Sequence, residues 1–206
     1  MADAESAGER NILALIQEAV RGGATMIQLR AKTLSLREFL RISLEASKLF
    51  KRENIPLIIN DRIDIALACQ ATGVHLGQED FPLSFARKIL GKKKLIGISV
   101  NTEEEALEAE KKGADYLGVG PIFPTPSKKD LKQLLGLDGL RRIREKIKIP
   151  ILAIGGINAK NAREVIKAGA DGIAVISAIM GAEDIRRATR ELREAIGEKN
   201  KKEIWK

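Results

Sequence analysis

What most constrains this chain is its repeating order, in which a helix-patterned segment is followed by a short apolar run, without a break in composition from end to end. Ile12, Leu13, Leu15, Ile16, Ala19 and Val20 form an apolar stripe at helical spacing, ended by Gly22–Gly23, and Thr25–Arg30 then reads as a strand. Leu36–Lys51 returns to helical spacing, Pro56 breaks it, and Leu57–Asn60 is the next strand. The same alternation carries Ile63–Cys69 (helix), Gly73–Gly77 (strand), Leu83–Leu90 (helix) and Leu95–Val100 (strand). Glu103–Lys112 follows as a helix with Thr102 placed to cap it, then Tyr116–Gly120 as a strand and a Pro-rich loop over Pro121–Lys129. A helix over Leu137–Ile147, the strand Ile151–Ile154, a helix over Asn161–Ala168, the strand Gly172–Ser177 and a helix over Ile185–Ile196 complete the order.

Short buried strands separated by helices must pair in parallel, because each crossover helix returns the chain to the same direction. Aromatic residues make up only 3% of the chain, so the core is built from Ile, Leu, Val and Ala, the residues of strands buried on both faces. Two α/β architectures satisfy this: a closed TIM (β/α)8-type barrel and an open doubly wound sheet. Polar and glycine residues follow nearly every strand, as in a barrel whose loops all contribute to one mouth, and neither GxGxxG nor GxxxxGK[ST] occurs. The expectation is a single barrel domain over residues 1–206, with 198–206 as a frayed, solvated tail. About seven strands read clearly where a barrel takes eight. The first strand is apparently missing, since MADAESAGER is small, acidic and unlike a strand.

A net charge of +8 invites a nucleic-acid reading, but the cations share helical faces with acids, and aromatic side chains are too few for base stacking. No nucleic-acid partner is expected; attraction of anionic substrates is the alternative use of the charge. Cys69, the sole cysteine, cannot form an intrachain disulfide and reads as a small buried apolar residue, which fits a reducing compartment. With no apolar run of membrane-spanning length and no signal-like start, the expectation is a cytoplasmic protein without a membrane partner.

Gln28, Arg30 and Lys32 alternate at the end of the first clear strand, so they share the face that reaches the mouth. Two adjacent cations there call for an anion, a phosphate or pyrophosphate, with a structural ion pair as the plainer alternative. Asp61 and Asp80 follow neighbouring strands and can converge; two carboxylates beside cations suit Mg²⁺ held with substrate phosphates, although both could simply cap helices. His75, the only histidine, can face the barrel interior, where a structural role is the common one. Thr125, Ser127 and Lys128 bring two hydroxyls and an ammonium to the loop near the mouth, as a clamp or as a plain turn. Gly155–Gly156, with Ile176, Ser177 and Ala178, have the character of a backbone phosphate site, while Glu183 and Asp184 read as caps of the last helix.

In order and spacing QLRAK, IINDR, GVHLGQED, GISVNT, GADYLGVGPIFPTPSKKD, AIGGIN and GADGIAVISAIM resemble the thiamine phosphate synthase family from about Gly22 to Met180. The resemblance implies a transferase that joins hydroxymethylpyrimidine pyrophosphate to hydroxyethylthiazole phosphate, with Mg²⁺ as cofactor and a dissociative, carbocation-like course. It places Gln28, Arg30, Lys32, Asn60 and Lys128 on the pyrophosphate, Asp61 and Asp80 on Mg²⁺, and Ser99 on the pyrimidine, with His75 as a wall of that pocket. Arg30, Lys32, Lys128 and Ser99 would be the catalytic set. Thr125 and Ser127 would meet the thiazole, whose phosphate would rest on Gly156, Ile176 and Ser177. The chain departs from the family pattern at Ala31, where Glu is common, and at Ser127, where Thr is frequent. As read from the sequence, it also lacks the opening strand and acidic turn of the family. Two other functions compete. A related thiazole tautomerase would lack the metal aspartates and carry a histidine where Pro121 stands, and a non-catalytic phosphate-binding barrel could pair its open edge with a second copy as a homo-oligomer.

Overall fold

The structure is a computed structural model that describes residues 1–125 and 134–197. Its frame is one sheet of eight parallel strands in unbroken order: β1 (Ala2–Asp3), β2 (Ile27–Arg30), β3 (Leu57–Asn60), β4 (Gly73–Leu76), β5 (Leu95–Val100), β6 (Tyr116–Val119), β7 (Ile151–Ile154) and β8 (Gly172–Ala174). Between and after them run α1 (Ala4–Ala7), α2 (Ile12–Arg21), α3 (Leu36–Glu53), α4 (Ile63–Ala68), α5 (Leu83–Leu90), α6 (Glu103–Lys111), α7 (Gly136–Lys146), α8 (Ala162–Lys167), α9 (Ser177–Met180) and α10 (Ile185–Ile196).

The helix ends follow local chemistry. Ser35 caps α3 by accepting from the Glu38 N–H, and Asn54 closes it in the left-handed conformation. Along α3, Phe39, Ile42, Ala46 and Phe50 recur every three or four residues and face the sheet. Thr102 caps α6 and Asp184 caps α10, each accepting from the N–H three residues on; Glu183 takes no part in the cap. The outward strand residues Leu29, Ile59, Val74, Ile96, Val119 and Ile151 join this helix face in one core, and the alternate residues line the barrel interior. Cys69 is buried, and burial pushes its thiol above the ordinary range. Exposed cations commonly stand beside acids on the same helix, as in Arg41–Glu45 (2.7 Å) and Arg187–Glu191 (2.8 Å).

Two readings of the sequence are corrected. The first strand is present: Ala2 pairs with Leu29 and Asp3 with Arg30. It escaped a periodicity search because two residues show no alternation, and because Asp3 does the work of a turn residue at once. At the other end, Gly172–Ser177 is not strand throughout; β8 stops at Ala174 and Ser177 opens α9. The expectation for 198–206 lies outside the described residues.

Among the described residues β8 and β1 do not pair, and the seam between them is bridged by other hydrogen bonds. The Met1 amino group donates to the Val175 carbonyl at 2.8 Å. Arg10 donates to the carbonyls of Ser6 and Ala7 and across the seam to that of Met180. Arg10→Ala should therefore lower stability by about 1 kcal/mol, the net worth of a part-exposed hydrogen-bond cluster. Urea unfolding followed by circular dichroism measures it, and an unchanged midpoint would show that the seam does not depend on this side chain.

Candidate active site

Because the strands are parallel, their C-terminal ends meet at one rim, and the residues there enclose a cavity of about 440 Å³. Of the residues singled out in the sequence, Gln28, Arg30, Lys32, Asn60, Asp61, His75, Asp80, Ser99, Thr125, Gly156, Ile176 and Ser177 all line this cavity. Ser127 and Lys128 lie outside the described residues.

Asp61 is held in an unusual posture. Its φ is +63°, and the Arg62 N–H donates to the Asn60 carbonyl at 2.8 Å, so Asp61 is the centre of a tight, strained γ-type turn. Its own N–H is fixed on the His75 carbonyl at 2.9 Å. The capping alternative for the two aspartates does not hold. The N-cap of α4 is Arg62, with no side-chain bond, and that of α5 is Pro82. Asp80 instead folds back so that its Oδ2 accepts from the Gly77 N–H at 2.6 Å. It also shares a hydrogen bond with Asp61.

Burial and then the adjacent Asp80 raise the Asp61 carboxyl to about 6, against the opposing pull of Lys32 and Arg30. Two carboxylates in contact cannot both ionise cheaply, so the second ionisation is delayed to higher pH. This donor set fits a divalent cation: two carboxylates at a wet, anion-attracting rim are what Mg²⁺ takes when phosphates and water complete its shell. No group of three or more His, Cys, Asp or Glu converges among the described residues, so the fit rests on this pair.

The cations are already engaged. Lys32 Nζ stands 3.7 Å from Asp61 Oδ2. Arg30 is paired with Asp3 through its guanidinium and stands 3.7 Å from a Glu5 oxygen. Asp3 is only 4% exposed, and its second oxygen accepts from both the N–H and the hydroxyl of Ser6, capping α1. Neither Asp3 nor Glu5 was anticipated as part of the site. The available signal is Asp3 with Ser6 three residues on, a helix-start pattern within a segment that is otherwise small, acidic and unlike a strand. The acidic turn that seemed absent is this one.

Gly155 and Gly156, with φ of +100° and +63°, serve first to let a loop approach. A Cβ on Gly155 would lie 2.7 Å from Pro121, and one on Gly156 would lie 2.6 Å from Phe123 and from the Pro124 carbonyl. The loop after β6 is thereby laid against the end of β7, which brings Thr125 to the cavity. Ile176 precedes α9, whose first residue is Ser177.

Deeper in the barrel, His75 Nε2 lies 2.9 Å from Ser99 Oγ, and Nδ1 lies 3.1 Å from the Tyr116 hydroxyl. Both rings are almost fully buried.

The ion pair makes a direct prediction. Asp3→Ala should leave the Arg30 guanidinium nearly buried without its partner and cost about 3 kcal/mol. Added pyrophosphate, supplying the missing charge, should restore part of the loss. Urea titrations with and without pyrophosphate test this; an equal loss in both would separate Arg30 from anion binding.

Comparison with known proteins agrees with this geometry. The family model for thiamine monophosphate synthase matches residues 1–179. The thiamine-phosphate synthase of Clostridium novyi (strain NT) is 52% identical over 183 residues, covering 89% of this chain and 90% of the relative. That of Chloroflexus aurantiacus is 51% identical over 191 residues, covering 93% and 88%. Among solved structures, thiamine phosphate pyrophosphorylase from Pyrococcus furiosus superimposes with a TM-score of 0.86 at 48% identity, covering 94% of this chain and 92% of that one. With the fold, the rim and these relatives in agreement, the chain belongs to the thiamine monophosphate synthase family and carries the transferase activity, thiamine phosphate synthesis, that defines it.

Proposed function

We propose that the chain joins hydroxymethylpyrimidine pyrophosphate to hydroxyethylthiazole phosphate by a substitution in which pyrophosphate leaves before the thiazole nitrogen bonds. The observation that carries this reading is the meeting, at one rim, of Arg30 and Lys32 with the adjacent carboxylates of Asp61 and Asp80. In such a reaction the C–O bond to pyrophosphate breaks with its electron pair, and the thiazole nitrogen lone pair then forms the new C–N bond. Charge builds on the leaving group, so catalysis is mainly stabilisation of that charge and positioning of the two rings.

Arg30 and Lys32 are assigned to the departing pyrophosphate, with Gln28 and Asn60 as neutral donors beside them. Lys128 joins this set on the family resemblance alone. Asp61 and Asp80 would hold Mg²⁺, which when bound supplies further neutralisation of pyrophosphate charge. Ser99 is assigned to the pyrimidine, Thr125 and Ser127 to the thiazole, and Gly156, Ile176 and Ser177 to its phosphate. The tautomerase alternative is disfavoured because both aspartates face the cavity and Pro121 occupies the position where that enzyme would carry histidine. We place the reaction in the cytoplasm, where a lone reduced thiol is at home. No helix among the described residues is long and apolar enough to cross a membrane.

The chain incubated with both substrates and Mg²⁺ should yield thiamine phosphate by mass spectrometry; a folded protein that makes none would refute the proposal. Asp80→Ala should abolish the response of turnover to Mg²⁺, whereas Arg30→Ala should slow turnover with thiazole phosphate binding largely kept.

Metal affinity should also depend on pH. Metal binding requires the carboxylate form, and Asp61 keeps its proton up to about pH 6. Mg²⁺ affinity measured by calorimetry should therefore climb from pH 5 to 7 and level off above. A flat profile would detach the metal from Asp61.

A further inference from the structure

Four polar side chains cross the barrel interior beneath the charged rim, each from a different strand: Gln28 from β2, His75 from β4, Ser99 from β5 and Tyr116 from β6. Gln28 bonds the Tyr116 hydroxyl, which stands 3.1 Å from His75 Nδ1, and His75 Nε2 stands 2.9 Å from Ser99 Oγ. The rings fit because two neighbours are glycine. A Cβ on Gly97 would sit 2.1 Å from the Tyr116 ring, and one on Gly118 would sit 2.8 Å from His75 Cε1. Real side chains do not approach so closely, so the backbone is shaped to seat this pair.

A phenol and a neutral imidazole each carry one polar proton, so the chain has two self-consistent directions. In the first, the Gln28 amide N–H donates to the Tyr116 oxygen, Tyr116 O–H donates to His75 Nδ1, and His75 Nε2–H donates to Ser99 Oγ. The Ser99 proton is then left for a group beyond the chain. In the second every bond reverses: Ser99 donates to Nε2, Nδ1–H donates to Tyr116, and Tyr116 donates to Gln28 Oε1. Ser99 would then offer only lone pairs.

We propose that the chain runs in the first direction, so that Tyr116 and His75 are positioning residues that fix the Ser99 hydroxyl as a hydrogen-bond donor toward the pyrimidine substrate. The inference deepens the reading that Ser99 meets that substrate and rests on it. Its direction is carried by Gln28 Oε1, which is buried without a hydrogen-bond partner although the same amide bonds the phenol. In the reverse direction that oxygen would be the occupied end. Burial also pushes the Tyr116 phenol well above its ordinary range, which keeps its proton available to His75. A pyrimidine presents ring-nitrogen lone pairs at its edge, and a hydroxyl held as donor matches them.

His75 is the only histidine, so ¹⁵N-histidine labelling of the full chain gives a single imidazole to read. The neutral ring should carry its proton on Nε2, with Nδ1 as the bare nitrogen. The opposite tautomer would overturn the proposal, and this result stands whether or not the protein turns over its substrates. If the tautomer is as stated, Tyr116→Phe should raise the KM for the pyrimidine pyrophosphate about five- to tenfold, the worth of one neutral hydrogen bond. The KM for the thiazole phosphate should not change. Tyr116→Phe combined with Ser99→Ala should lose no more than the worse single variant, because both act through one hydroxyl. His75→Gln, whose amide N–H can stand in for Nε2–H, should recover much of what His75→Leu loses. Additive losses, or an equal rise in KM for both substrates, would reduce Tyr116 and His75 to packing.

Discussion

Everything at the rim depends on one constraint, the parallel pairing of eight strands in sequence order. Parallel strands end on the same side, so a polar residue placed last on any strand arrives at the same opening. The chain uses this repeatedly: Arg30 ends β2, Asn60 ends β3, and Asp61 and Gly77 follow immediately after β3 and β4. None of these needs a special loop to bring it in. The period-2 alternation does the rest, sending Leu29 and Ile59 to the helices and their neighbours Gln28 and Asn60 to the cavity.

Collecting charges in this way creates an electrostatic problem, and the structure answers it with internal pairs. Arg30 is held by Asp3 and approached by Glu5, Lys32 stands by Asp61, and Asp61 lies against Asp80, which helps to raise its pKa to about 6. Each pair keeps a partly buried charge from standing alone. In the proposed reaction the same groups exchange partners. Asp61 and Asp80 would hold Mg²⁺, which would supply neutralising charge there, and Arg30 would turn part of its guanidinium from Asp3 to the pyrophosphate.

The barrel and most of the rim were legible because both follow from short-range rules. Strand–helix alternation dictates parallel pairing, and alternation within a strand says which residues turn inward, which is why Gln28, Arg30 and His75 could be placed in advance, whereas Ser99 came only from the family resemblance. What escaped notice depends on contacts between distant segments. Two residues of β1 carry no periodic signal, and only their pairing with Leu29 and Arg30 makes them a strand. Asp3 was lost with them. The glycines were read for their openness to phosphate, whereas Gly156 is required first by the approach of Phe123 and Pro124, a contact no local pattern announces. The ambiguity over Asp61 and Asp80 was likewise local. Each precedes a helix, and only the observed N-caps, Arg62 and Pro82, remove the capping alternative.

The interior then divides into two layers with different tasks. At the rim, charges are paired at separations such as the 3.7 Å between Lys32 and Asp61, a loose contact that water can enter and a ligand can displace. Below it, Gln28, Tyr116 and His75 are buried and Ser99 half-buried, joined by hydrogen bonds, with the two rings seated in space left by Gly97 and Gly118. Charge strengthens binding but discriminates poorly between anions, whereas a buried donor fixed in direction rejects a ring that cannot accept from it. A dissociative substitution needs both, since a leaving group stabilised without a correctly placed ring would expose a reactive carbon to water. In the proposed reaction, putting the neutral layer beneath the charged one would let the pyrimidine be oriented from below while its pyrophosphate is held from above.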